Sequence, residues 1–207
     1  MGGENRLSPE VSALLAELRR KGWKLILATG RDRNYVEGRG DMADIFDCWV
    51  LENGMEVYLP FSQASHVYLT EGWEELRRQV LKLPFAGAKK WTFHFPREKL
   101  GEVEKLVKKL GVKVSFKDNR GVLHALPAGV DKGVGVLKAL EMLGVEGYIV
   151  ALGDAMVDLD LFRVADFKTA VGNAEEAVKR EADYVAEKPN GEGASEIMRR
   201  LADGSLP

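Results

Sequence analysis

Cysteine, long apolar runs and an excess of either charge are what this 207-residue chain has least of. Its one cysteine, Cys48, excludes an internal disulfide framework. Cys48 sits in the apolar run Ile45-Phe46-Asp47-Cys48-Trp49-Val50-Leu51, which suits a buried core thiol. Apolar stretches are strand-sized, so the sequence offers no transmembrane helix. The opening Met-Gly-Gly-Glu-Asn-Arg has no apolar segment of the kind a secretion signal requires. Net charge is only −2, with signs interspersed, and gives no electrostatic ground for binding nucleic acid or a membrane surface. What is present, 45% hydrophobic and 30% charged residues, is the balance of a soluble globular protein, expected in the cytoplasm.

The chain alternates short apolar strands with amphipathic helices. Ser8 and Pro9 are suited to cap and open a helix, along which Val11, Leu14, Leu15 and Leu18 recur at helical spacing up to Gly22. A buried parallel strand follows over Trp23 to Ala28, and then the polar turn Thr29-Gly30-Arg31-Asp32. A helix is expected through Ala43 to Phe46. Strands near Trp49 to Leu51 and Met55 to Leu59 flank Asn53-Gly54, a hairpin signal. Between about Phe61 and Pro127 the pattern changes to strands, two helices and a hairpin, a small α+β layer. After Gly129 the first alternation returns: helix 131–143, strand 148–152, helix 155–164, strand 167–171, helix 174–180, strand 183–185 and helix 192–201. The expected fold is α/β, a doubly wound and mainly parallel Rossmann-like core over residues 1–62 and 128–207, split by an α+β insertion over 63–127.

In open parallel sheets ligands bind beyond the carboxyl ends of the strands. Three polar features fall there. Gly153-Asp154-Ala155-Met156-Val157-Asp158 follows an apolar strand and opens a helix, so its two carboxylates can face one ligand, and paired carboxylates suit a hard cation such as Mg²⁺. Thr29 offers a hydroxyl and neighbouring N–H groups to an oxyanion. Lys132 stands in the first turn of a helix, against the helix dipole, a placement explained by a nearby phosphate or carboxylate cluster. Taken singly, each also has a plain structural explanation: a cap, a strand end, a solvated lysine.

Together, Ile26-Leu27-Ala28-Thr29-Gly30-Arg31, Glu52-Asn53-Gly54, Val130-Asp131-Lys132-Gly133, Gly153-Asp154-Ala155-Met156-Val157-Asp158 and Val171-Gly172-Asn173-Ala174 resemble the ordered motifs of the haloacid dehalogenase superfamily. The similarity is to its Cof-like, archaeal phosphoglycolate phosphatase and sucrose-phosphate phosphatase branch. That resemblance implies a Mg²⁺-dependent phosphomonoester phosphatase with an inserted cap of the second type. By that resemblance the substrate would be a small phosphorylated metabolite, phosphoglycolate first and sugar phosphates next, and a monomer or homodimer is expected. By the same resemblance Thr29 and Gly30 bind the phosphoryl group, Lys132 offsets its charge, Asn53 shapes the pocket, and Asp154 and Asp158 serve the metal. His124 is the first of the cap candidates for substrate contact, ahead of His66, His94, Trp91, Arg97 and Arg120.

The family carries its aspartate nucleophile in a motif Asp-x-Asp-x-Thr on the first, central strand, and no such segment occurs in the sequence. The expectation is therefore that Met1 is an internal methionine and that the strand lies upstream, with a catalytically silent, ligand-binding relative as the alternative. Val157 stands where many members of the family have asparagine, which argues for weaker metal or substrate binding.

Overall fold

The computed structural model describes residues 6–42 and 44–207. Helix α1 (Pro9–Arg20) begins where Ser8 accepts the Val11 N–H at 3.1 Å, and strand β1 (Ile26–Ala28) follows. Helix α2 (Arg33–Glu37), capped by the Asp32 carboxylate, stops at Gly38. The helix expected through to Phe46 does not form among the described residues. Instead Arg39 pairs with Asp41 at 2.9 Å, and Asp41 accepts the Leu7 N–H at 2.7 Å, tying that loop to the start of α1. Ala43 lies outside the described residues.

Strand β2 (Cys48–Leu51) is buried along its whole length and runs parallel to β1. It turns through Glu52–Gly54 into β3 (Glu56–Leu59), which pairs antiparallel with β2 and then with β4 (Ala64–Val67). Residues 64–67 thus belong by hydrogen bonding to the first sheet, although the sequence pattern assigns them to the insertion.

The α+β layer comprises α3 (Trp73–Val80), β5 (Gly87–Ala88), β6 (Phe93–Pro96), α4 (Leu100–Leu110), β7 (Val114–Asn119) and β8 (Val122–Pro127). Its strands form an antiparallel sheet in the order β5-β6-β8-β7. Trp73, Leu76, Phe93, Phe95, Val103 and Leu126 fill its core, and alternate residues of β6 point into it, as period-2 patterning requires.

The chain then returns through α5 (Lys132–Leu143), β9 (Val150–Gly153), α6 (Leu159–Phe162), β10 (Phe167–Ala170), α7 (Glu176–Glu181), β11 (Tyr184–Val185) and α8 (Asn190–Asp203). Strands β9, β10 and β11 pair in parallel. One core joins both parallel pieces: Val50 and Val57 from the first, Ala151 and Ala170 from the second, with Val136 and Ala139 of α5 between. Helices α1 and α8 pack together beside it.

Among the described residues β1 and β9 are each hydrogen-bonded on one side only. A slot of about 620 Å³ lies between them, flanked by Ile26, Leu27 and Ala28 on one edge and Val150, Ala151 and Leu152 on the other. Its effect is visible in exposure: all of β1 is only half buried and Leu152 is 39% exposed, despite their aliphatic character and central position. Unpaired strand edges facing each other across apolar walls are an acceptor for another strand.

The Glu52–Gly54 turn holds the parts in register. Glu52, Asn53 and Gly54 have φ of 48°, 57° and 105°, three successive left-handed residues. Gly54 packs so closely on the start of α5 that a Cβ there would lie 2.0 Å from the Asp131 carbonyl oxygen. Replacing Gly54 by alanine therefore adds a backbone collision to the cost of a left-handed residue. We expect Gly54→Ala to lower unfolding free energy by about 2 kcal/mol or more. Gly144 also has positive φ but open space around it, and Gly144→Ala should cost about 1 kcal/mol. Urea unfolding of the two variants measures the difference; equal losses would show that the close approach at Gly54 carries no energy.

Candidate functional site

The carboxyl ends of β1, β2 and β9 meet the N-terminus of α5, and the motif residues collect there. At the end of β1, the Thr29 N–H donates to the Val50 carbonyl at 2.8 Å, and the Thr29 hydroxyl oxygen accepts the Arg31 N–H at 3.2 Å. The Asn53 N–H donates to the Thr29 carbonyl at 3.0 Å, and the Asn53 side chain lies against Gly30, where a Cβ would sit 3.1 Å from its Oδ1. Gly54 in turn touches Asp131 and Lys132. Thr29, Gly30 and Asn53 are therefore in direct contact, and Lys132 is joined to them through Gly54.

Lys132 is buried, and its Nζ donates to Asp158 Oδ1 at 2.6 Å. The other oxygen of Asp158 accepts the N–H groups of Asp154 and Ala155 at 3.0 and 3.1 Å, folding the 154–158 segment around it. Removing either partner of such a pair leaves an uncompensated buried charge, at a cost of about 3–5 kcal/mol. Both oxygens of Asp158 are thus engaged by protein donors. Asp154 is the carboxylate left to face a ligand. It is exposed by area yet crowded by protein on one side. That desolvation, then the neighbouring Asp158, pushes its carboxyl above the usual carboxylate range, against the pull of Lys132 and Arg120. Among the described residues no three His, Cys, Asp or Glu side chains converge as a metal cluster. The acid pair still fits Mg²⁺, which is commonly held by one or two carboxylates and keeps several waters. Asp154 could ligate directly, with Asp158 holding it in place.

Two buried glutamates bind the α+β layer to this end of the core. Glu52 accepts the Trp91 N–H at 3.1 Å, the Thr92 N–H at 2.8 Å and the Thr92 hydroxyl at 2.5 Å. Burial raises its pKa, and these donors, with Lys89 beyond them, oppose the rise. Glu56, fully buried, pairs with Arg33 at 2.5 Å and Lys90 at 3.4 Å and accepts the Trp91 indole N–H at 3.0 Å. On the opposite side Lys117 of β7 reaches the buried Asp160 at 2.8 Å, and Arg163 pairs with both Asp160 and Asp131.

This clamp sets Lys89 over the site. Its ammonium donates to the Gly30 carbonyl and lies 3.3 Å from His124 Nδ1. His124 lies beside Lys89, and His94 stacks on it with ring centroids 5.6 Å apart. Burial, then Lys89 and His94, lowers the His124 pKa to about 4. The remaining candidates divide. Arg120 acts on Asp154, and Trp91 serves the Glu52 and Glu56 clamp. His66 packs edge-on against Tyr68 on the first sheet, and Arg97 pairs with Asp118 at 2.9 Å. Glu56 and Lys89 carry no role in the sequence pattern, and Glu52 enters it only within the Glu52-Asn53-Gly54 motif, without a role of its own. The one signal for the glutamates is a pair of acids four apart inside the otherwise apolar segment 48–59.

Residues 77–198 match the family model of the haloacid dehalogenase-like hydrolases. Phosphoglycolate phosphatase 2 of Saccharolobus solfataricus is 35% identical over 214 residues, covering 97% of this chain and 86% of that protein. A phosphoglycolate phosphatase of Methanopyrus kandleri is 30% identical, covering 91% of this chain and 87% of that one. Among solved structures, Thermoplasma acidophilum 0175 superposes with a TM-score of 0.74 at 20% identity, over 94% of this chain and 89% of that one. A subclass IIB sugar phosphatase of the same superfamily does so with 0.72 at 16% identity, over 95% and 92%. The two structural likenesses speak for the fold, and the two sequence relatives for descent. On these grounds the chain belongs to the haloacid dehalogenase-like hydrolases.

Proposed function

We propose that the protein hydrolyses small phosphate monoesters with Mg²⁺, phosphoglycolate first among them, through an aspartyl-phosphate intermediate. The observation that carries this reading is the gathering of Thr29 and Asn53 at the strand ends beside the start of α5, with Lys132 and the Asp154 N–H both bound to Asp158. In this reading the slot takes an extended apolar segment whose last residue, an aspartate, is the nucleophile. The family relatives named phosphoglycolate phosphatase support the substrate, and the sugar phosphatase neighbour supports sugar phosphates as the next class.

The chemistry divides between attack and release. The aspartate carboxylate forms a bond to phosphorus as the ester P–O bond breaks, and the leaving oxygen takes a proton from solvent to depart as the alcohol. Water then cleaves the acyl phosphate to give inorganic phosphate and the regenerated carboxylate. The protein contributes positioning and charge neutralisation. Thr29 offers its hydroxyl to a phosphoryl oxygen, and Asn53 holds the Thr29–Gly30 backbone in place. Lys132, anchored by Asp158, sets a fixed positive charge beside nucleophile and phosphate. Asp154 would hold Mg²⁺, which when bound supplies further charge neutralisation on the phosphate oxygens.

A ligand-binding protein without turnover is the second reading. Full engagement of Asp158 by protein donors and valine at position 157 favour it, since both leave fewer groups for a metal. We further propose a cytoplasmic protein, monomeric or homodimeric, that binds neither nucleic acid nor membranes. Among the described residues no helix is long and apolar enough to cross a membrane.

Phosphate release separates the two readings. The protein purified from its source cells should release inorganic phosphate from phosphoglycolate only with Mg²⁺ present. Asp154→Asn in that form should lower kcat/KM on the order of a hundredfold or more, the several kcal/mol that a metal contributes to such a transition state. Binding of phosphoglycolate with no release, or release indifferent to chelator, would contradict the proposal.

A further inference from the structure

We infer that Lys89 is a second anion anchor, which selects phosphate monoesters bearing a carboxylate; this rests on the phosphatase reading and names the group that recognises the far end of the substrate. Lys89 is half buried, and burial lowers its pKa. Among the described residues it forms no salt bridge: its ammonium meets only the Gly30 carbonyl and the His124 ring. Glu52 and Asp32 act on it from beyond contact distance, and both are occupied, Glu52 by the Trp91 and Thr92 donors and Asp32 by the Tyr35 N–H. His124, with its pKa near 4, is neutral at pH 7. Arg31 also acts on it from beyond contact distance, so Lys89 is a cation whose direct partners are uncharged.

Several features fix that cation in place. The Lys89 N–H donates to the Thr92 carbonyl at 3.1 Å, while its own carbonyl accepts from Arg77 at 2.5 Å. Thr92 is in turn bound to Glu52. Gly87 leaves room for the His94 ring, since a Cβ there would lie 2.3 Å from Nε2. His94 stacks on His124, directly across the β6–β8 pairing, and so sets the ring that faces Lys89.

The location gives the cation its role. Lys89 reaches Gly30, the residue after Thr29, and consecutive Cα atoms are only about 3.8 Å apart. A phosphoryl group at Thr29 therefore has a second positive group within a few atoms of it. A substrate with a carboxylate one or two carbons from its phosphate can engage both. One ending in an alkyl group leaves Lys89 facing uncharged partners only. A charge-assisted hydrogen bond of this kind corresponds to about a tenfold to a hundredfold preference.

The test compares phosphoglycolate with ethyl phosphate, in which a methyl group replaces the carboxylate. Kd by calorimetry and kcat/KM by phosphate release are measured on the protein from its source sequence, on Lys89→Met and on Lys89→Arg. Wild type should favour phosphoglycolate by about tenfold to a hundredfold. Lys89→Met should bring the ratio close to one, and Lys89→Arg should restore part of it. If Lys89→Met lowers both esters equally, or neither, while phosphate is still released, the anchor is refuted and the phosphatase reading stands. A Lys89-dependent preference in Kd without release from either ester would support the anchor and refute the phosphatase reading. No binding of either ester would refute both.

Discussion

The buried carboxylate of Glu52 is the interaction on which the site depends. It sits in a turn of three left-handed residues, a conformation that costs on the order of 1 kcal/mol or more for each non-glycine member. The donors of Trp91 and Thr92 give the charge its partners and offset that cost. The same turn places the Asn53 side chain against Gly30 and Gly54 against the first residues of α5. One strained segment thereby fixes the end of β1, the start of α5 and the loop of the α+β layer that carries Lys89. Loss of the carboxylate would leave a group of backbone and hydroxyl donors without an acceptor, in a place water reaches poorly.

A second constraint works from the other side. Lys132 and Asp158 are a buried pair, and Asp158 also organises the 154–158 segment through two backbone N–H groups. That arrangement turns an acid pair that could have ligated a metal symmetrically into an unequal one. Asp158 is structural support, and Asp154 alone is exposed and raised in pKa. The division explains how a lysine can stand in the first turn of a helix against its dipole: the counter-charge lies one strand away. Among the described residues the unpaired edges of β1 and β9 flank the apolar slot, and the groups that address a ligand stand at the carboxyl ends of those strands.

Much of this was legible in the sequence, and what was not has an identifiable cause. Helices α1, α4 and α5, and the strand-to-turn junctions at Thr29 and Gly153, carry local signals: caps, periodic apolar residues, glycine after an aliphatic run. The ordered motifs then brought Thr29, Asn53, Lys132, Asp154 and Asp158 into one family pattern. The glutamate clamp is invisible in the sequence because its bonds join residues 39 and 40 positions apart at Glu52 and 23 to 35 apart at Glu56, and an acid in an apolar run gives no hint of its partner. Lys89 escaped notice for a similar reason, since its meaning comes from Gly30 and His124, distant in sequence. The helix expected through Phe46 failed because Gly38 ends α2 and the Arg39–Asp41 pair commits the following loop. Strand β5 is only two residues long, too short for any periodicity to show.

The central claim is that Thr29, Asn53, Lys132 and Asp154 surround one phosphate site, Asp154 by way of the metal, with Lys89 beside it. At 22.9 kDa the protein suits amide NMR, and titration with tungstate, a tetrahedral phosphate mimic, in the presence of Mg²⁺ tests the claim most directly. The account predicts that the amide signals of residues 29–31, 53–54, 89–92, 132 and 154–155 shift together along one binding curve. Shifts confined to one of these segments, or a curve at 89–92 distinct from that at 29–31, would contradict it.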